Sequence, residues 1–379
     1  MPMKNRLGVI ASGVVLGFLM FSMAVLFTSA QGEDSSGTPT AILPTEYSPT
    51  DYPEELIPTD KFQPESVWSM AWSPDDSQIA VAIAPPQCNQ SQNDYAVQII
   101  DVATQTVIKK YISTMCIPTV VQWLNNGTHI AITRLLEGFR IIDIATNRTT
   151  YFMTNPLGFY GVSKALLSPD NQSFMAYDQE SPQLHVWKLP NDLQNSQNLS
   201  ADVIIQTVSD LTDTSWNPNS QQIVGSTNQG MTVWDANTGD EIRNYTIDVQ
   251  LVRWSPNGKS FAITNGQHQL QIIDVTTGQV LLERAVDSAR DLQWSPDNRH
   301  LAIGTLSGQI LIVDTISNTV VDEYYGSNFI NVLAWNSDGT QLAYGGVANN
   351  GEINIVTLDL SATPTLTPTF IPIPPTSTP

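Results

Sequence analysis

The sequence predicts an all-β chain: a seven-bladed β-propeller of four-stranded antiparallel blades, closed by an N-terminal strand, with Thr/Pro-rich tails and an N-terminal apolar helix. Three observations predict it. A turn signature centred on a Trp, or once on a Leu, recurs seven times, at Trp72, Trp123, Leu167, Trp216, Trp254, Trp294 and Trp335, with spacings of 38 to 51 residues, the length of one four-stranded blade. Apolar residues sit two positions before each of these anchors (Met70, Val121, Ala165, Val252, Leu292 and Leu333, with Thr214 the exception), the period-2 pattern of a half-buried strand. Third strands end in a recurring Asp, as in Ile99-Ile100-Asp101, Val233-Trp234-Asp235, Ile272-Ile273-Asp274 and Ile312-Val313-Asp314.

In chain order, residues 1–30 come first. Lys4 and Arg6 precede an uncharged apolar stretch from Leu7 to Phe27, and Thr28-Ser29-Ala30 then offers small residues for cleavage. This is the pattern of an export signal, and the 21 residues from Leu7 to Phe27 are also long enough to span a bilayer. The sequence admits both a cleaved signal and a retained anchor; either way the body is expected outside the membrane. Residues 31–53 form a linker rich in Thr, Ser and Pro, and residues 361–379 a tail of the same composition. Such segments hold too few large apolar groups to offset their ordering entropy. The propeller is assigned to residues 54–360.

Within each repeat the anchor closes a first strand and a tight turn follows, as in Trp72-Ser73-Pro74-Asp75 and Trp294-Ser295-Pro296-Asp297. Pro fixes φ, and a left-handed residue is expected four positions after each anchor: Asp76, Gly127, Asn171, Ser220, Gly258, Asn298 and Gly339. A short second strand comes next (Ile79-Ala80-Val81, Leu301-Ala302-Ile303). The Asp that ends the third strand is expected to accept hydrogen bonds from the next turn, for example at Thr238-Gly239 or Thr277-Gly278. The last repeat runs out after its third strand, whereas Glu54 to Phe62 has no other assigned use. Residues near Leu56-Ile57 are therefore expected beside Ile353–Ile355, hiding two sheet edges.

On these residues the repeats resemble WD-repeat propellers, and the Trp-Ser-Pro-Asp step is similar to that of the bacterial TolB-like group. The resemblance covers residues 62–360, with Trp234-Asp235 and Thr238-Gly239 as its best local match. It implies a repeat scaffold. The Gly-His pair that opens repeats in the eukaryotic family is absent here, so the hydrogen-bond network built on it is not carried over.

The chain has 36 acidic and 16 basic residues and a formal net charge of −20, which opposes contact with nucleic-acid phosphates or anionic lipid headgroups. Nucleic acid is not an expected partner, and a membrane is expected to be met only through the N-terminal apolar segment. The chain carries no His-Glu-x-x-His, Gly-x-Ser-x-Gly or phosphate-loop motif, so no catalytic residue, cofactor or metal ligand is assigned. His129 and His300 share the repeat position of Gln78, Gln222 and Gln341, which makes them polar residues at the start of a strand. Cys88 and Cys116 fall in loops at one end of the first blade; an oxidising compartment admits a disulfide there, and two separate thiols is the other reading.

The leading expectation is an exported, non-catalytic scaffold that binds a protein or other ligand through loops on one face. The candidate face comprises Trp68, Phe159, Tyr160, Thr212, Asp213, Gln250, Arg290, Asp291 and Asn331, of which Trp68, Tyr160 and Arg290 are of types that dominate binding energy. The same residues can also simply plug the channel. The alternative function is a propeller hydrolase or lyase whose site gathers in the channel from separate blades; it requires two or more of His129, His185, His300, Asp213 and Asp291 to meet there.

Overall fold

The computed structural model describes residues 66–84, 95–113, 118–134, 138–153, 164–177, 182–190, 193, 201–227, 229–326, 329–346 and 353–360. Among them every regular element is a β-strand, and the strands form seven antiparallel sheets. Six sheets have four strands in sequence order, and the seventh has three: Ile330–Trp335, Gln341–Gly346 and Ile353–Thr357. The residues near Leu56-Ile57 that are expected to complete it lie outside the described residues, as do residues 1–30. No helix among the described residues is long and apolar enough to cross a membrane.

The first strands are Ser66–Trp72, Pro118–Trp123, Lys164–Leu167, Leu211–Trp216, Leu251–Trp254, Ala289–Trp294 and Ile330–Trp335. They stand side by side in a ring, and the first touches the last. Each blade is too thin to have an interior of its own, so its apolar side chains are buried against its neighbours. Seven hydrophobic clusters result, one for every interface between successive blades, the seam between blades seven and one included. Met70, Val121, Ala165, Thr214, Val252, Leu292 and Leu333 are all buried, as are five of the six anchor Trp side chains, Trp335 being the partly buried one.

Turn chemistry repeats with the same regularity. All seven residues four positions after the anchors have positive φ, from 56° at Asn171 to 73° at Gly339. Asp76 and Ser220 tolerate this conformation because the turn around them is tied down from the side. In every repeat the Asp or Asn preceding the left-handed residue accepts a hydrogen bond from the backbone N–H two positions on: Asp75 from Ser77, Asn126 from Thr128, Asp170 from Gln172, Asn219 from Gln221, Asn257 from Lys259, Asp297 from Arg299 and Asp338 from Thr340. These are Asx turns, which imitate a backbone turn with a side chain.

The Asp that ends a third strand behaves as expected. Asp101, Asp143, Asp235, Asp274 and Asp314 each accept a backbone N–H from the following turn. Four residues after each of them the chain is again left-handed, at Gln105, Asn147, Gly239, Gly278 and Asn318. Two of these five are glycines, so composition alone marks only part of the pattern.

Hydrogen bonds from Ser73, Thr104, Thr146, Thr277 and Thr340, in turn, hold the carboxyls of Asp75, Asp101, Asp143, Asp274 and Asp338 below the usual carboxylate range. At Asp314 burial works the other way, but Arg299 and the turn amides outweigh it and the carboxyl is again held low. A carboxyl with a depressed folded-state pKa contributes stability above its unfolded value and loses it as the pH falls through the folded one. Urea midpoints are therefore expected to be flat above about pH 5 and to fall steadily below about pH 4, with a shallower fall in an Asp274→Asn, Asp338→Asn variant.

Close approach across the seam is set by a glycine. A Cβ on Gly345 would lie 2.8 Å from Cβ of Val67 in blade one. Gly345→Ala is expected to cost about 1–3 kcal/mol by overpacking, read as a lower urea midpoint at unchanged slope; an unchanged midpoint would show that the seam is loose.

Candidate functional site

The innermost strand of a blade is a sheet edge, and its outward N–H groups have no partner within their own sheet. Here side chains of the neighbouring blade supply partners. The N–H groups of Val121, Val252 and Leu333 donate to Ser69 Oγ (3.1 Å), Asp213 Oδ2 (3.0 Å) and Asp291 Oδ2 (3.0 Å) of the preceding blade. Ser69, Asp213 and Asp291 share one repeat position, three residues before the anchor. Leu167 N donates in the same way to Gln122 Oε1 (2.8 Å).

Anchor indoles add a second tie, each donating from its own blade to a backbone carbonyl of the preceding one. Nε1 of Trp72, Trp216, Trp294 and Trp335 donates to the carbonyl oxygens of Ala334, Leu166, Arg253 and Gln293, at 2.9, 3.0, 3.3 and 3.0 Å. The Trp72 bond joins blade one to blade seven. Asp76 adds to that seam by accepting Ser337 N (2.9 Å) and Ser337 Oγ (2.6 Å).

Both channel-side aspartates converge on one cation. Arg253, in the first strand of blade five, pairs with Asp213 of blade four through Nη1 and with Asp291 of blade six through Nη2. Burial works against the guanidinium charge, but the two carboxylates outweigh it and push the Arg253 pKa up. Tyr177, buried in blade three, is also pushed up, by burial and then by the Asp213 charge. The ionic bridge spans blades four, five and six, and the hydrogen bond from Leu333 N to Asp291 ties blade seven to it.

Removing one member of such a bridge strands the others in a poorly solvated site. Arg253→Met is accordingly expected to cost about 3–5 kcal/mol. Adding Asp213→Asn and Asp291→Asn to that variant is expected to recover much of the loss in chemical denaturation; no recovery would mean that the guanidinium acts through packing alone.

The residues four positions before the anchors behave differently. In five first strands the pairing register slips, between Val67 and Ser69, Pro118 and Val120, Leu211 and Asp213, Ala289 and Asp291, and Ile330 and Val332. The extra residues are Trp68, Thr119, Thr212, Arg290 and Asn331. A bulge re-aims its side chain away from the ladder: Trp68, Thr212 and Arg290 are exposed and Asn331 is partly so. Gln250 holds the same repeat position, is exposed, and donates its N–H to Thr264 O (2.7 Å).

The structure therefore divides the candidate set. Trp68, Thr212, Gln250, Arg290 and Asn331 line one rim of the ring, whereas Asp213 and Asp291 are buried and engaged by Arg253 and the neighbouring blades. Phe159, Tyr160, Cys88 and Cys116 lie outside the described residues.

Further apolar side chains join this end of the ring. Val208 (69% exposed) and Phe329 (49%) sit in links between blades, and Leu306 (36%) follows a second strand. Ile330 packs over Gly304, and Asn331 Nδ2 donates to Val67 O (3.4 Å), contacts that join blades six, seven and one at this end. Sequence periodicity did not single out Phe329 or Leu306, which lie off the repeat. Arg253 had a signal: Ala71, Gln122, Leu166, Ser215, Gln293 and Ala334 hold its position in the other repeats, and none is charged.

The histidines are dispersed. His129 faces Asp143 (3.8 Å), His185 stacks on Trp187, and His300 Nδ1 meets Asp297 Oδ2 at 2.5 Å. Of the five groups among which the hydrolase reading requires two or more to meet, Asp213 and Asp291 are brought together, with Arg253 paired between them. Among the described residues no group of three or more His, Cys, Asp or Glu is arranged to hold a metal ion.

A family model described as "Eukaryotic translation initiation factor eIF2A" matches residues 183–310 and 237–342, less than half of the chain in total. No curated protein matches the chain.

Proposed function

We propose that this chain is a non-catalytic scaffold that takes a protein partner on the bulged, loop-bearing rim of its ring. The observation that carries the proposal is the division of labour on the first strands. One repeat position holds the blades together, and the next one back presents a Trp, an Arg and amide or hydroxyl side chains to solvent. An exposed Trp at the end of the ring that also bears exposed Phe329 and Leu306 offers apolar surface that a partner can cover, and Trp and Arg are the side chains that most often anchor an interface. The pairing of both channel aspartates with Arg253 supports the non-catalytic reading, because it leaves neither carboxylate poised as an acid or base.

The propeller is proposed to stand outside the membrane, secreted or held by residues 1–30, on the strength of Lys4 and Arg6 ahead of the apolar run Leu7–Phe27. The family match offers a second reading, a part in translation initiation. Two features favour the first. The matched stretches overlap and begin in adjacent blades, as expected when a repeat is matched to its neighbour, and a net charge of −20 opposes RNA.

Photo-cross-linking side chains placed at Trp68, Gln250 and Ile316 of the full chain test the rim. Ile316 is 79% exposed at the opposite end of blade six. A discrete protein adduct is expected from Trp68 and Gln250 and none from Ile316; adducts confined to Ile316 would contradict the proposal.

A further inference from the structure

Basic and acidic side chains are sorted between the two ends of the ring. Residues 211–325, which make blades four to six, hold six basic side chains, and five of them are placed away from the rim. Arg243 and Arg284 donate to turn carbonyls of the next blade at the opposite end, Arg243 to those of Val275 and Thr276 and Arg284 to that of Asn318. Arg299 pairs with Asp314 there, Lys259 stands in the turn that follows Trp254, and Arg253 is held between Asp213 and Asp291. Of the six, Arg290 alone reaches the rim.

The links that enter the same three blades at the rim each carry an exposed carboxylate: Asp210, Asp248 and Asp287. Asp248 accepts Gly266 N (2.8 Å) and Asp287 accepts Ser288 N (2.7 Å), which orients both side chains without burying them. Apolar surface is interleaved with this charge. Val208 shares a link with Asp210, and Leu306 follows the second strand of blade six, both exposed. With Arg290 set against three carboxylates, the arc is net negative, the sign of the whole chain at −20.

We propose that this arc of the rim, over blades four to six, takes a basic segment of a protein partner, one in which Lys or Arg side chains alternate with large apolar ones. The proposal rests on the rim reading above and names the chemistry of what the rim takes. Exposed carboxylates steer a cationic segment into place and reject an acidic one. Val208 and Leu306 offer apolar surface for the side chains between the cations to cover.

A fluorescent peptide of alternating Lys and Leu and its Glu-for-Lys counterpart, each titrated with the full chain, test this. The Lys peptide is expected to bind with an affinity that falls as salt is raised, and the Glu peptide is expected not to bind. An Asp210→Asn, Asp248→Asn, Asp287→Asn variant is expected to weaken binding about 10-fold; Asn keeps the oxygens that accept Gly266 N and Ser288 N, so the links hold their shape. An Asp240→Asn, Glu241→Gln, Asp359→Asn variant removes the same charge from exposed positions at the opposite end and is expected to change binding less than about 2-fold. No binding of the Lys peptide, equal binding of the Glu peptide, or equal loss in the two variants would overturn the proposal. A photo-cross-linker at Gln250 keeps the two readings apart: a Glu-peptide adduct there would overturn the basic partner and leave the rim reading standing, whereas Lys-peptide adducts formed only from Ile316 would overturn both.

Discussion

Everything in this ring depends on the unpaired edge of the innermost strands. A four-stranded blade satisfies its backbone internally except along its two edge strands, and along the inner one an N–H left without a fixed partner is costly where it is buried. Each blade therefore needs its neighbour twice, once for apolar burial and once for polar groups. The seven clusters between blades meet the first need. Indoles, carboxylates, a serine hydroxyl and a glutamine meet the second. Because both needs are met across boundaries, the stability of one blade cannot be separated from that of the next.

The same constraint explains how a rigid ring presents a variable face. A bulge in a first strand inserts one residue without disturbing the inward side chains on either side of it. Asp213 and Asp291 can therefore hold blades together while Thr212 and Arg290, one residue earlier, point elsewhere. The position is free to change in sequence, and across the repeats it does: Trp68, Thr212, Gln250, Arg290 and Asn331 share little chemistry. The clamping position varies too, but where it is Ser69, Asp213 or Asp291 it accepts the N–H of the same repeat position in the next blade.

Much of the fold was legible in the sequence because the signals are local. An Asp or Asn followed by a left-handed residue is dictated by the turn itself, so all seven turns could be placed from residue type and spacing. Asp76 and Ser220 were legible only by alignment with the other repeats, since neither is a natural left-handed residue. The rim was legible in part. Position in the repeat located Trp68, Gln250 and Arg290, but nothing within one repeat reveals that Asp213 and Asp291 share Arg253, which lies 40 and 38 residues away in the chain. Phe329 and Leu306 stayed hidden for a related reason: they fall in links of irregular length, where periodicity carries no information.

The most direct test of this account is amide exchange resolved to single residues at Val121, Val252 and Leu333. If side chains of the preceding blade complete the inner edge, these amides exchange only with global opening of the ring, as slowly as the central strands beside them. Exchange at the rate of an exposed edge strand would contradict it, because the blades would then be held by apolar contact alone.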